Sequence, residues 1–523
     1  MKYRISSCVT LAVFAVLATS VRLASQEQRT ELQHRKEHHR YRLVDIGTFG
    51  GPEGFVNPDV NGGNAISKRG AAVGSSATPI PKSPTSVACG GLDGTLPFVF
   101  HAFKSQGGVV TDLGTLPGDD NCSVATSSNV RGEIVGLSEN GVIDPVTSIT
   151  EFRAVLWKHD EIEDLGTLGG IASSASQIND RNQVTGSAYN AIPDPFTPLG
   201  TQIRAFLWED GHMRDLGTLG GPDVIGSFIN ESGQIAGLSL INSIPNPSTG
   251  IPTQDPFLWE NGEMIDIGTL GGVAGGPSAL NNRGQVVGQS SDAADPAACF
   301  VNDTENCHPF LWDDGRLTDL NTHTIGGNPL TARAINDAGE IVGAACFPSV
   351  GCSAYLWRDG VATDLGALPG DCFSEAFAIN ARAQVVGQSF SCSGFGRLFL
   401  WENGSMIDLN SFVPPGSGLQ LAEAIAINDR GEIAGDLLPP GCTDDTQCGH
   451  AFVLIPCHDD HSGEAGCEDE DEVTTSATQN SSMTANKDHL VNSMNRVLTP
   501  REIMSRTQSR FGWIRGFWAS PQK

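Results

Sequence analysis

Residues 204–221 read RAFLWEDGHMRDLGTLGG and hold the pattern that decides the fold. An apolar run that ends at Trp208 is followed by Asp210-Gly211, and a second short run ends at Asp215. Asp-Gly between two strand-sized runs is the strongest short-range signal for a β-hairpin. The segment therefore predicts two antiparallel strands joined by a tight turn.

The same hairpin recurs along the chain. Its tryptophans lie 44 to 53 residues apart, and they are Trp157, Trp208, Trp259, Trp312, Trp357 and Trp401. The aspartate that ends its second strand occurs eight times, at Asp45, Asp112, Asp164, Asp215, Asp266, Asp319, Asp364 and Asp408. Recurrence at this period indicates a repeat array and not a series of unrelated domains.

A second hairpin precedes the first in each repeat. Residues 428–431, Asn-Asp-Arg-Gly, form its turn, in which Asn bonds its own backbone and Gly takes the position that needs a positive φ. The turn recurs at Ser67, Asn129, Asn179, Asn230, Asn281, Asn336, Asn380 and Asn428. Two hairpins within about 45 residues make a four-stranded sheet of the size of one propeller blade.

The two ends of the array are incomplete and complement each other. Residues 41–47 read as a fourth strand without its partner, and residues 450–455 as a third strand without its successor. A ring explains both fragments and leaves no exposed sheet edge, whereas an open solenoid, the alternative, is expected to carry capping repeats. We predict an all-β fold: a closed β-propeller of eight four-stranded blades in which the N-terminal strand completes the last blade.

The repeat resembles the HAF repeat of bacterial extracellular proteins. The segments that carry this resemblance are His101-Ala102-Phe103, residues 204–221, Gln285-Val286-Val287-Gly288 and Ala334-Ile335-Asn336-Asp337. It covers residues 41–455. The resemblance implies an extracellular location and a repeat architecture, and it implies no catalytic residue. The order of the hairpins is also similar to a kelch blade, which is a likeness of layout and not of function.

The flanks of the array indicate an exported protein. Residues 1–20 have the short basic start, apolar core and small residues of a signal peptide, and residues 21–40 read as a polar leader. The array is assigned to residues 41–457, and residues 458–523 read as an acidic and then basic disordered tail. The expected location is extracellular or at the cell surface, with the periplasm as the alternative, and no transmembrane segment is expected in the mature chain.

Cysteine usage fits export. Twelve of the 13 cysteines follow the signal segment, and they favour disulfides formed in an oxidising compartment. The candidates are Cys89, Cys122, Cys299, Cys307, Cys346, Cys352, Cys372, Cys392, Cys442, Cys448, Cys457 and Cys467. Position in the repeat suggests Cys89–Cys122, Cys299–Cys307, Cys442–Cys448, Cys352–Cys372 and Cys346–Cys392. Cys346–Cys352 with Cys372–Cys392 is the alternative for the last two pairs.

The net charge of −28 restricts the partners. Phosphate binding needs clustered Lys and Arg, so nucleic acid and anionic lipid surfaces are excluded. No cofactor is predicted. Calcium is the one candidate cation, at the acidic pairs Asp119-Asp120 and Asp444-Asp445 and at the run Asp59, Asn61 and Asn64, although none of these fits a loop with regularly alternating oxygen ligands.

The repeated tryptophans and aspartates are interpreted as structural. One Trp at the same strand position of each repeat is most simply explained by packing between sheets. Asp164, Asp215, Asp266 and Asp364 are assigned to hydrogen bonds within turns or between strands. No HExxH, GxSxG or Walker motif occurs in the sequence, so no residue is assigned as catalytic.

Function is expected where the repeats differ. The long variable segments are 75–100, 137–152, 187–203, 238–255 and 289–308, and loops on a rigid framework are where binding residues accumulate. The leading hypothesis is a secreted or surface-displayed scaffold that binds a polysaccharide, an envelope component or a protein through loops on one propeller face. The alternatives are an extracellular hydrolase or lyase with a site at the propeller channel, and a structural surface-assembly protein. A buried cluster of Asp, Glu and His from unlike blades would favour the enzyme.

Overall fold

The computed structural model describes residues 40–56, 65–88, 96–118, 120–159, 161–194, 197–247, 250, 252–292, 307–347, 351–457 and 467. The described residues are all-β, as predicted, with 60% strand and 2% helix. Several sequence predictions lie outside the described residues. They are the signal peptide, the leader before Arg40, the tail other than Cys467, the run Asp59, Asn61 and Asn64, and Cys89, Cys299 and Asp119.

The strands of the described ranges form antiparallel groups in chain order. Strand β1 (Tyr41–Gly47) is followed by the four-stranded sheet β2 (Gly54–Val56), β3 (Ala72–Pro81), β4 (Phe98–Gln106) and β5 (Val109–Asp112). The next sheet has eight strands in two antiparallel parts. The first part is β6 (Ser123–Ser128), β7 (Ile134–Ile143), β8 (Thr150–Lys158) and β9 (Glu161–Asp164). The second part is β10 (Gly169–Ile178), β11 (Val184–Pro193), β12 (Thr201–Glu209) and β13 (His212–Asp215).

A second eight-stranded sheet repeats this arrangement. Its parts are β14 (Val224–Ile229), β15 (Ile235–Pro245), β16 (Pro252–Glu260) and β17 (Glu263–Asp266), then β18 (Gly271–Leu280), β19 (Val286–Asp292), β20 (His308–Asp313) and β21 (Arg316–Asp319). In both sheets one parallel pair joins the two parts, Ala172 opposite Phe152 and Gln254 opposite Ala274. Each eight-stranded sheet therefore consists of two four-stranded units whose backbones are joined by a single parallel β-bridge.

The remaining sheets follow the same order of hairpins. The next has a first strand in two pieces and consists of β22 (Asn328–Pro329), β23 (Ala334–Ile335), β24 (Ile341–Phe347), β25 (Gly351–Arg358) and β26 (Val361–Gly366). It is followed by β27 (Asp371–Ile379), β28 (Val385–Ser391), β29 (Gly396–Glu402) and β30 (Ser405–Asp408). A 3₁₀ turn (Leu409–Phe412) leads to β31 (Gln420–Ile427), β32 (Ile433–Leu438), the short helix α1 (Asp445–Cys448) and β33 (His450–Pro456).

The N-terminal strand completes the last sheet, whose strand order is β1-β33-β32-β31. This is the pairing that the two incomplete ends of the array predict. One hydrophobic cluster continues from this sheet into the first, because Ile46, Ile425 and Val453 pack with Val56 and Phe103. The two ends of the repeat array are thus held together by both strand pairing and a common core.

The turn asparagines link one sheet to the next. Each side-chain amide donates to the backbone carbonyl of the following turn, over 3.3 Å from Asn129 to Asn179 and 3.0 Å from Asn179 to Asn230. The series continues through Asn281, Asn336, Asn380 and Asn428, and it ends at Ser67. Each side-chain oxygen also accepts from the two backbone N–H groups of its own turn, as Asn428 does from Arg430 and Glu432. The turn residue predicted from sequence therefore also connects neighbouring sheets.

The glycine at the end of each Val-Val-Gly motif is required by close packing. A Cβ atom at Gly288 would lie 2.1 Å from the carbonyl oxygen of Gly276, and one at Gly435 would lie 1.9 Å from that of Glu423. The side chain opposite this glycine is a fully buried aromatic ring in most sheets, for example Phe310 beside Gly288. Only glycine leaves room for the neighbouring strand and the ring together.

The predicted long loops are largely strands. In segments 137–152 and 187–203, strands β7 and β11 continue to Ile143 and Pro193, which pair with Thr150 and Thr201. The variable segments of these repeats are therefore extended β-hairpins with short tips. The sequence did not predict these strand extensions, because Pro, Ser and Asp are depleted in strand interiors but are tolerated at a hairpin end.

The disulfides correct part of the predicted pairing. The described chain contains Cys346–Cys352, Cys372–Cys392, Cys442–Cys448 and Cys457–Cys467, and Cys122 and Cys307 are also disulfide-bonded. Pairing Cys346 with Cys392 and Cys352 with Cys372 is wrong. Cys346 and Cys352 lie directly opposite each other across the β24–β25 hairpin, which brings their side chains together.

Contacts divide the chain into two units, and residues 43–455 belong to one of them. In the other unit the backbone N–H of Cys457 donates to the carbonyl oxygen of Arg40 over 2.9 Å. A search of the described ranges for an apolar helix of membrane-spanning length finds none.

Candidate functional site

The repeated aspartates bond their own turns. The carboxylate of each accepts from the backbone N–H two residues later, for example Asp215 from Gly217 over 2.9 Å. The contact occurs at Asp45, Asp112, Asp164, Asp215, Asp266, Asp319, Asp364 and Asp408. In most sheets the same carboxylate also meets a cation or hydroxyl on the adjacent strand, such as Arg204 or His308. The repeated aspartates therefore stabilise their own turns and strand pairs.

One sheet departs from this pattern. At the position of Arg204 and His308 it has Asp255, which is buried and hydrogen-bonded to Asp266. Burial, followed by the charge of Asp266 and that hydrogen bond, raises the pKa of Asp255 to about 6. Two carboxyl groups therefore share a proton where the other sheets pair a carboxylate with a donor.

The repeated tryptophans pack between sheets. Trp157, Trp208, Trp259 and Trp312 are buried, while Trp357 and Trp401 are partly buried. Trp157 lies in a cluster with Val73 and Ala102 of the preceding sheet, and Trp208 lies with Val135 and Ala154. The four buried rings therefore offer no flat exposed platform to a ligand.

Four acidic residues meet where the last sheet adjoins the first. Glu53 precedes β2, Glu423 lies on β31, Asp436 on β32 and Asp445 on α1. All four are buried, with exposed fractions between 0% and 6%. Glu423 and Asp436 lie directly opposite each other on antiparallel strands, which places their Cβ atoms about 5 Å apart. We call Glu53, Glu423, Asp436 and Asp445 the acidic cluster.

Asp436 is the most perturbed member of the acidic cluster. Its Oδ1 accepts from the backbone N–H of Val56 over 2.9 Å, and its Oδ2 has no hydrogen-bond partner within the described part of the chain. Burial raises the pKa of Asp436 well above its usual range, and the charges of Glu423, Asp445 and Glu53 raise it further. The hydrogen bond from Val56 opposes this and is outweighed. Burial among other carboxyl groups therefore favours the protonated form of Asp436.

The preceding sheet shows the same two positions in a structural role. Glu375 lies opposite Gln388 on β27 and β28, as Glu423 lies opposite Asp436. The Glu375 carboxylate accepts from Arg333 Nε over 2.8 Å and from Thr331 Oγ1 over 2.9 Å. A cation thus compensates the buried charge of Glu375, whereas further carboxyl groups surround Asp436.

A second buried aspartate, Asp223, resembles Asp436 but has fewer acidic neighbours. Its Oδ1 accepts from the backbone N–H of Ile203 over 2.9 Å, and its Oδ2 lacks a partner among the described residues. Burial raises the pKa of Asp223 to about 7, with a further contribution from Asp194. Asp223 follows Gly-Gly-Pro in the sequence, as Glu53 does. It therefore provides a matched comparison for the acidic cluster.

The acidic cluster lies directly beneath a surface segment. Asp445 belongs to α1, which packs against β32 and is flanked by the disulfide Cys442–Cys448. Thr443, Asp444 and Gln447 of the same segment are exposed. The predicted calcium ligand Asp444 instead caps α1, since its Oδ1 accepts from the backbone N–H and hydroxyl of Thr446. In the described ranges no three His, Cys, Asp or Glu residues have the arrangement of a metal site.

Sequence reasoning missed the acidic cluster. Glu53 and Asp436 lie nearly 400 positions apart, and none of the four residues belongs to a catalytic motif. A signal was nevertheless present. Five other repeats have a residue without a carboxyl group at the position equivalent to Glu423. These residues are Val124, Ser174, Ile225, Gly276 and Thr331. Carboxyl groups that depart from a repeat consensus at a buried position are the feature to look for.

The known proteins that match this chain are similar to it in fold alone. No protein-family model and no curated protein match the chain. Solved structures do match, among them the β-propeller domain of the Trilobed protease from Pyrococcus furiosus, at 11% identity and a TM-score of 0.37. That match covers 61% of this chain and 92% of the protease domain.

Two further similar structures are peptidases. The acylaminoacyl peptidase of Pyrococcus horikoshii matches at 13% identity and a TM-score of 0.33, over 76% of this chain and 58% of the peptidase. Dipeptidyl peptidase 4 of Porphyromonas gingivalis matches at 11% identity and a TM-score of 0.38, over 65% of this chain and 54% of the peptidase. The match thus spans little more than half of each peptidase, and such identities bear on the fold alone.

These results correct the leading functional hypothesis. A scaffold that binds a polysaccharide, an envelope component or a protein through loops on one face is wrong. The buried carboxyl groups from unlike sheets overturn it, since they are the feature that favours an enzyme. The resemblance to the HAF repeat family is tested by none of these comparisons and stays a prediction.

Proposed function

We propose that the chain is a hydrolase whose acid–base chemistry is performed by Asp436 and Glu423 in the acidic cluster. The observation that carries the proposal is the buried Asp436, whose Oδ2 has no hydrogen-bond partner among the described residues, directly opposite the carboxyl group of Glu423. Pairs of carboxyl groups whose pKa values differ are the usual means by which hydrolases divide the roles of acid and base.

The chemistry follows from the protonation of each group. Asp436 donates its proton to the leaving-group atom as the bond between that atom and the electrophilic carbon breaks. Water supplies the oxygen of the new bond, and its proton passes to Glu423. A proton then returns from Glu423 to Asp436 across the strand pair, which restores the starting state. Atoms and charges balance without a cofactor.

The architecture we propose is a closed ring of eight four-stranded blades, with β1 as the fourth strand of the last blade. The series of asparagine contacts that ends at Ser67 supports it, as does the core shared by the first and last sheets. The acidic cluster then lies where the ring closes. It includes Glu53, which lies in the connection between β1 and β2.

We further propose that the chain belongs to the HAF repeat family and is exported by its N-terminal segment. The four disulfides fit an extracellular or periplasmic location. The motifs at residues 101–103 and 334–337 support the family. Mass spectrometry of the protein secreted by a producing cell tests export, with cleavage near residue 20 as the expected result.

The test of hydrolysis uses the oxidised full chain and chromogenic glycosides, esters and aminoacyl anilides. We expect the wild type to cleave one of these classes. Asp436→Asn removes the proton and keeps the shape of the side chain, so it should lower kcat by about 100-fold or more. Asp223→Asn is the matched control, because Asp223 has the same kind of backbone contact and burial outside the acidic cluster.

Glu423→Gln provides a second variant for the same reaction. We expect it to lower kcat and to remove the acidic limb of the pH–rate profile, since it deletes the base. Equal losses of kcat in Asp436→Asn and Asp223→Asn would show that both substitutions act by lowering the stability of the fold, and would contradict the proposal. Full activity of Asp436→Asn would also contradict it.

A further inference from the structure

Exposed apolar side chains are concentrated at the tips of the extended hairpins. Of the large hydrophobic residues that are exposed in the described ranges, eight lie at or between the ends of the second and third strands. Six of the eight are Ile80, Val142, Ile143, Val146, Ile192 and Ile244. Val146 is 88% exposed and Ile244 is 73% exposed. We call these six residues the tip row.

The tip row crosses consecutive strand groups at equivalent positions. Ile143 ends β7, and Ile80, Ile192 and Ile244 each lie next to the last residue of β3, β11 and β15. Neighbouring hairpins are in contact, since the N–H of Thr150 donates to the carbonyl oxygen of Thr85 over 2.8 Å. The tips are therefore neighbours on one side of the array.

A hydrophobic cluster packs among the hairpins that carry part of the tip row. Ala172, Tyr189, Ile203 and Ile225 pack together with Phe152, so the cluster runs through three successive strand groups. Hairpins anchored in this way present their tips as a defined surface. Apolar side chains that are exposed on successive hairpins offer a contact site.

Segment 487–523 of the same chain has the composition that fits the tip row. It contains the apolar and aromatic residues Phe511, Trp513, Ile514, Phe517 and Trp518. It also has seven basic and two acidic residues, whereas the whole chain has a net charge of −28. Aromatic side chains can cover the tip row while the basic groups offset the acidic array.

A long connection joins Cys467 to this segment. The 43 residues between Cys467 and Phe511 span about 35 Å as a flexible coil and more than 100 Å when extended. A tethered segment binds at a high effective concentration, so that modest apolar contacts suffice.

We propose that residues 511–518 bind the tip row of their own chain. The contact is formed by apolar burial and steered by the opposite charges of the two parts. The contact involves no residue of the acidic cluster.

Site-specific photo-crosslinking of the full chain tests this proposal. A benzophenone amino acid replaces Phe517, the dilute protein is irradiated, and crosslinked peptides are identified in the monomer fraction. We expect crosslinks to peptides that contain residues 142–146, 192 and 244. A benzophenone at Thr478 is the control for random encounters of the tethered segment.

Variants of the tip row give the decisive comparison. Val146→Ser, Ile192→Ser and Ile244→Ser together should lower the crosslink yield about tenfold, since each removes apolar contact. Ile325→Ser with Val361→Ser is the matched control, because these two residues are exposed but lie elsewhere. A yield that the tip-row variant does not change would overturn the proposal. Crosslinks confined to covalent dimers would also overturn it, and would assign the tip row to a second copy.

Discussion

The side-chain amide of Asn428 donates a hydrogen bond to the backbone carbonyl oxygen of Ser67 over 2.9 Å, across 361 residues of sequence. Six earlier turn asparagines make the same contact with the turn that follows. Ser67 is the one member of the eight described turns without an amide to donate. The series of contacts therefore runs from Asn129 to Ser67 and lacks a link from Ser67 back to Asn129.

Ser67→Asn should supply the missing link. The new amide can donate to the carbonyl oxygen of Asn129, while its oxygen keeps the contact that Ser67 Oγ makes with the N–H of Ala71. We expect the free energy of unfolding to rise by about 1 kcal/mol, measured by chemical denaturation. Ser67→Ala is the control and should lower it. A destabilised Ser67→Asn would show that the two turns are too far apart for the ring we propose.

Gly288→Ala tests the packing that the Val-Val-Gly motif requires. The added Cβ would lie 2.1 Å from the carbonyl oxygen of Gly276, so neighbouring strands must separate. We expect a loss of about 2–3 kcal/mol in the free energy of unfolding. Gly276→Ala is the control on the facing strand, because a Cβ atom there meets nothing within 4 Å. Similar losses for the two variants would contradict the explanation.

The Asp255–Asp266 pair predicts a local dependence of stability on pH. The pKa of Asp255 is 3.8 when unperturbed and about 6 in the folded chain. Its contribution to stability is fully present below pH 3.8 and falls as the pH rises through about 6, since the folded state holds the proton more tightly.

Asp255→Asn should remove that dependence. The amide donates to Asp266 at every pH, so the variant should be more stable than the wild type above pH 7 by about 2 kcal/mol. Denaturation from pH 4 to pH 8 measures the difference between variant and wild type. Ser353→Asn is the control, because Ser353 already donates to Asp364. A constant difference across this pH range would disprove the shared proton.

The repeat made much of the fold predictable. Asn-Gly and Asp-Gly turns fix hairpins locally, and Asp210 and Gly211 have the positive φ values that such turns need. The N-terminal strand could be placed because residues 41–47 match the fourth strand of other repeats. Hairpin length was harder to predict, because Pro193 and Pro245 read as loop signals although they lie at strand ends.

The candidate site could not be predicted in the same way. Its members come from four separate segments, and each residue alone resembles an ordinary turn or strand acid. Burial distinguishes them, since the pKa of a carboxyl group rises where water and cations are absent. Burial of this kind depends on which strands become neighbours, and a single repeat does not reveal that.

The central claim is that Asp436 holds a proton at neutral pH beside a second carboxyl group. Infrared difference spectroscopy of the full chain at pH 7, comparing wild type with Asp436→Asn after isotopic labelling of aspartate, measures this directly. The account predicts a carbonyl band of a protonated carboxylic acid that is present in the wild type and absent from the variant. A spectrum in which the variant loses only ionised carboxylate bands would contradict it.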